Sequence, residues 1–141
     1  MNINREMTKG ARFSFYLMLF LLGGLFWIAT KTGHFTMDEA VYGRAVDYPA
    51  AYWAAAMMFP SAGYIAALFI NGRRWWTAPV RIMIGSWMIG YFIAFVWCAM
   101  PSAGVDIIVI ASAVMALKAA LMSMFDLGDM RRRRRLTHGR G

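Results

Sequence analysis

The chain is 141 residues long, 60% hydrophobic and only 16% charged, too few charges to cover a soluble domain of this length. A formal net charge of +8 is no argument for nucleic acid, because it mostly reflects one basic run near the C-terminus. Cys98 is the only cysteine, which excludes an intrachain disulfide and chemistry that needs paired cysteines.

Residues 1–12 carry Arg5, Lys9 and Arg12 against Glu6 and read as a polar N-terminal segment. Four apolar stretches follow, each roughly 18 to 21 residues, enough to cross about 30 Å of hydrocarbon at about 1.5 Å per residue. The first covers 13–30. The basic residues before it would also suit a signal peptide. Its apolar run outlasts the usual h-region, however, and "WIATKTGHF" after it has no A-x-A cleavage pattern, so it reads as a retained span.

The connector 31–49 holds Lys31 and Arg44 against Asp38, Glu39 and Asp47. Within it Thr36 and Glu39 have capping-box spacing, which predicts a short amphipathic helix from Met37 with Met37, Val41 and Tyr48 on one face. The second span, 50–70, contains Pro60, which should kink the helix or free a carbonyl. The connector 71–79 brings Arg73 and Arg74 with no acid. Thr77 and Pro79 suit the opening of the third span, 80–100, as cap and early helical residue. A turn at 101–104 leads to the fourth span, 105–125, and a basic tail, 126–141. "PSAG" occurs at 60–63 and 101–104, but the flanks differ and the repeat reads as coincidence.

Basic residues thus accumulate in the first, third and fifth polar segments and thin out in the second and fourth. That is the positive-inside pattern for an all-α, four-span membrane protein with both termini in the cytoplasm, in a bacterial inner membrane. Trp27, Tyr52, Trp53 and Trp97 near the outer span ends, with Trp75 and Trp76 in the inner connector, suit the headgroup depths that amphipathic rings favour. Arg73, Arg74 and the five consecutive arginines Arg131, Arg132, Arg133, Arg134 and Arg135 are read as topology determinants that contact anionic lipids. Near such a leaflet each contributes about 1 kcal/mol. The tail lacks interleaved aromatics that would stack on bases, so nucleic acid is not the expected partner.

Helices in lipid associate through close backbone contact, and small residues at four-residue spacing mark the candidate packing faces. These are Ala62 with Ala66, Gly63 with Ala67, the run Ser86, Gly90 and Ala94, and the run Ser112, Ala116 and Ala120. The first span is bulkier, with only Gly23 and Gly24 as a flat spot. The pattern predicts a compact bundle of the last three spans with the first held more loosely, with oligomerisation through one small-residue face as the alternative use of these stripes.

Chemistry-bearing residues are scarce. Arg81 and Asp106 sit at the ends of spans, and Lys118 is the one charge placed within a span. It lies nearly opposite the Ser112 stripe on a helical wheel, so it is expected to face lipid and reach toward headgroups, with a substrate or pore role as the alternative. His34 and His138 fall on opposite sides of the expected membrane, and no phosphate loop, zinc spacing or dinucleotide fingerprint appears. No cofactor or catalytic residue is expected. The first span also lacks the acidic residue used by small multidrug transporters, which share its size and span number.

The leading expectation is a non-catalytic accessory or assembly subunit acting through helix association with itself or another membrane protein. A short multi-span chain with a basic cytoplasmic tail also resembles holins in general organisation, a resemblance that implies a membrane-permeabilising role. A small transporter or channel using Lys118 is the third reading.

Overall fold

The computed structural model describes residues 3–38, 42–70, 74–103 and 107–139. Four helices are long and apolar enough to cross a membrane, as expected of a multi-pass membrane protein. They are α1 (Ile3–Lys31), α2 (Ala50–Phe69), α3 (Thr77–Ala103) and α4 (Ile107–His138). Three of them outrun their apolar stretches, and α3 runs on through Pro101 to Ala103, so most of the expected turn at 101–104 is helix. α1 begins at Ile3 and so takes in the first polar segment, while α4 continues through Asp126 and the five arginines to His138.

Local chemistry explains the breaks. Gly33, at φ +76°, ends α1 in the left-handed conformation that glycine adopts without strain. The Phe35 N–H then reaches back to the Ala29 carbonyl at 3.2 Å. In the following connector Phe35 to Asp38 are not helical, and Glu39 and Val41 of the expected amphipathic helix lie outside the described residues. The Tyr42 N–H meets the Asp38 carbonyl at 2.8 Å. Gly43, at φ +55°, then leads into a 3₁₀ turn, Gly43–Asp47, with Ala45 buried. The Ala45 carbonyl accepts the Trp53 indole N–H at 2.8 Å, which ties the connector to the first turn of α2.

Pro60 sits inside α2 without ending it. Having no N–H, it leaves the carbonyl of Ala56 without its helical donor. The Trp87 indole N–H of α3 takes that carbonyl at 3.0 Å, so the gap in one helix becomes an attachment point for the next.

α1 is not the loosely held helix that its bulk suggests. Phe15, Tyr16 and Leu19 are buried, and a methyl at Gly23 would lie 3.0 Å from Met58 Cβ and 3.2 Å from the Ala54 carbonyl. The flat spot is therefore where α1 meets α2. α3 and α4 form a second close pair, in which a methyl at Gly85 would collide with Ser123 Oγ. The core joins both pairs through Tyr16, Leu19, Tyr64, Leu68, Met88 and Met122.

The small-residue faces fall differently from the expected intrachain packing. On α3, Ser86, Gly90 and Ala94 are exposed, and nothing lies within 4 Å of a methyl built at Gly90. α3 instead turns inward Arg81, Gly85, Met88, Phe92 and Ala99, the opposite face at about 100° per residue. On α2, Ala62 is half-buried while Gly63 and Ala66 are exposed; on α4, Ser112 is buried with Ala116 and Ala120 half-buried. The rotation of α3 has a physical cause in Arg81, whose charge must point at its partners.

Candidate functional site

Each of the four helices delivers a polar side chain to one place. α1 supplies Arg12 and, one turn on, Tyr16; α2 supplies Tyr64; α3 supplies Arg81; α4 supplies Asp126 and, three residues on, Asp129. Arg12 is 1% exposed, and Arg81, Asp126, Tyr16 and Tyr64 are each 0% exposed. The periodicity of each helix makes this meeting local in origin. Asp126 continues the inward face that runs through Ser112, Ala119 and Met122 on α4, just as Arg81 opens the inward face of α3.

Asp126 is the hub. Its Oδ1 accepts Arg12 Nη1 at 2.8 Å and Arg81 Nε at 2.8 Å, and its Oδ2 accepts the Tyr64 hydroxyl at 2.6 Å. Arg12 Nη1 also donates to Asp129 Oδ2 at 3.0 Å, and Arg81 Nη2 lies 3.8 Å from the same oxygen. Arg12 Nε reaches the Thr8 carbonyl at 3.2 Å, and Arg81 Nη1 the Ala67 carbonyl at 3.5 Å. The Tyr16 ring stacks on Tyr64 at 3.6 Å and 9° between planes. Two guanidinium groups and two carboxylates balance formally, which is what burial of charge requires. Among the described residues, Arg81 Nη2 and the Tyr16 hydroxyl are buried without a hydrogen-bond partner.

This arrangement ties the four helices together, with its carboxylates engaged by guanidinium groups. Among the described residues no cluster of three or more His, Cys, Asp or Glu could hold a metal. His34 and His138 are both exposed.

Reading the sequence did not find this site. In sequence, Arg12 belongs to the polar N-terminal segment, Arg81 is a span-end charge, and Asp126 and Asp129 fall in the basic tail, where they would simply offset its arginines. Those acids serve Arg12 and Arg81 instead. The available signal was the alignment of Asp126 with the inward stripe of α4, together with opposite charges at the same end of three helices.

The residues singled out from the sequence lie elsewhere. Arg74 is exposed and Arg73 lies outside the described residues. Arg131, Arg132, Arg134 and Arg135 are exposed and Arg133 is half-buried. Lys118 is exposed, with its ammonium 5.7 Å from the centroid of the Phe15 ring, a cation–π distance. The outward small-residue stripe of α3 lines a groove of about 510 Å³ between α2 and α3, together with Tyr52, Trp53 and Trp87. A second groove, of about 480 Å³, reaches Ser112 from the side of Phe26 and Phe95.

Neither known family models, nor curated proteins, nor solved structures yield a match to this chain.

Proposed function

We propose that this chain is a non-catalytic, four-span subunit of a bacterial cytoplasmic membrane, with both termini in the cytoplasm, that works by associating through its helices with a second copy or another membrane protein. The observation that carries the reading is the outward face of α3. Ser86, Gly90 and Ala94 form a small-xxx-small stripe at the surface of the groove between α2 and α3, the kind of surface on which membrane helices approach closely. The buried charges of the described residues, meanwhile, are mutually paired and leave no free carboxylate for coupling transport. Lys118 lies over an aromatic ring rather than beside an acid, which favours a lipid-facing over a transporting role. The orientation is supported by the excess of arginine and lysine in the segments at 1–12, 71–79 and 126–141.

Gly90→Leu tests the association. Nothing lies within 4 Å of a methyl at that position, so the first carbon of the new side chain meets no neighbour while the stripe is obstructed. Energy transfer between labelled copies in vesicles, and co-purification of membrane partners from cells, are expected to fall at least severalfold. Unchanged association with every partner would defeat the reading.

A further inference from the structure

We propose that the exposed arginines Arg131, Arg132, Arg134 and Arg135 form an upright collar that binds the phosphate groups of anionic lipids in the adjacent leaflet. The inference rests on the membrane reading above and does not need the chain to associate with anything. α4 is one uninterrupted helix from Ile107 to His138, and its course is pinned just past the apolar part by Asp126 and Asp129 on Arg12 and Arg81. From Phe125 to Arg131 the rise is about 9 Å and to Arg135 about 15 Å. The headgroup layer on each side of a bilayer is about 5 to 8 Å thick. These backbone positions therefore stand beyond the headgroup layer, and long arginine side chains reach back toward it.

Arg131, Arg132, Arg134 and Arg135 are exposed, and continuation of the pinned helix carries them upright past the apolar part, where the planar fork of arginine suits phosphate oxygens. The carboxylates nearest the collar on its own helix, Asp126 and Asp129, are engaged by Arg12 and Arg81 and do not neutralise it. The chemistry selected is the anionic phosphodiester headgroup, as in phosphatidylglycerol.

The test uses the full chain in nanodiscs of phosphatidylcholine with or without phosphatidylglycerol, with retained lipids identified by native mass spectrometry. Each arginine contributes about fivefold to anionic-lipid partitioning. The wild-type protein is expected to retain phosphatidylglycerol over phosphatidylcholine, and replacement of Arg131, Arg132, Arg134 and Arg135 by Gln should cut that preference by at least about tenfold. Equal retention of both lipids by the wild type would overturn the proposal, as would displacement of bound lipid by a single-stranded oligonucleotide.

Because the Gln variant also removes topology charges, a reporter that needs no such variant runs beside it. A spin label at His138→Cys, on a Cys98→Ala background, stands about 20 Å beyond Phe125 if the helix is upright and is exposed to aqueous relaxation agents. A label immersed at headgroup depth would show a flat tail and refute the collar. Failure of Gly90→Leu to alter association would leave both measurements unaffected.

Discussion

Asp126→Asn removes the charge at the hub while keeping the side chain's size. Both guanidinium groups it serves are buried, and among the described residues each keeps only Asp129 as an acidic neighbour, Arg12 at 3.0 Å and Arg81 at 3.8 Å. Taking one partner from a buried ion pair costs about 3 to 5 kcal/mol, because an uncompensated charge is left behind. The residual contact to Asp129 places the expected loss near the lower figure, about 3 kcal/mol, or more than a hundredfold in the folded-to-unfolded ratio. Asp129→Asn should cost much less, about 1 kcal/mol, since Asp129 is 19% exposed and only its bond to Arg12 is short. Tyr64→Phe, which removes one hydrogen bond to a carboxylate, should fall between them at about 1.5 to 3 kcal/mol. Reversible unfolding in mixed micelles, followed by tryptophan fluorescence, measures all three. The reasoning fails if Asp126→Asn is no more destabilising than Asp129→Asn.

Gly85→Leu should destabilise the pairing of α3 with α4 by about 1 to 3 kcal/mol, because its first carbon already meets Ser123 Oγ; the same unfolding assay reads it, against a smaller effect for Gly90→Leu. Trp87→Phe should cost about 1 kcal/mol by leaving the Ala56 carbonyl unpaired. Pro60→Ala, which restores that carbonyl's helical donor, should remove most of this penalty, and an additive double variant would contradict the assignment. Controlled expression with a membrane-potential dye should show no abrupt depolarisation, since a delayed collapse would favour a permeabilising role over association.

The four helices were legible because long apolar runs have few physical alternatives in a chain this poor in charge. Their true extent was not. Polar residues that continue a helix past hydrocarbon look, in sequence, like the residues of a connector, so the helical starts at Ile3 and continuation to His138 left no apolar signature. Counting basic residues treats each charge as solvated, and Arg12 and Asp126 stand 114 positions apart, a pairing that only the packed bundle brings about. The stripe on α3 was legible as a small-residue face but not as an outward one. Which face of α3 turns inward is decided by Arg81 and its need for a buried carboxylate.

The central claim is that the chain crosses the bilayer four times with the charged cluster and both termini on the cytoplasmic side. Single cysteines at His34 and His138, on a Cys98→Ala background, test it with a membrane-impermeant maleimide applied to intact spheroplasts. Both native side chains are exposed. Position 34 should label from outside and position 138 only after the membrane is opened; labelling of 138 in intact cells, or equal behaviour of the two, would contradict the account.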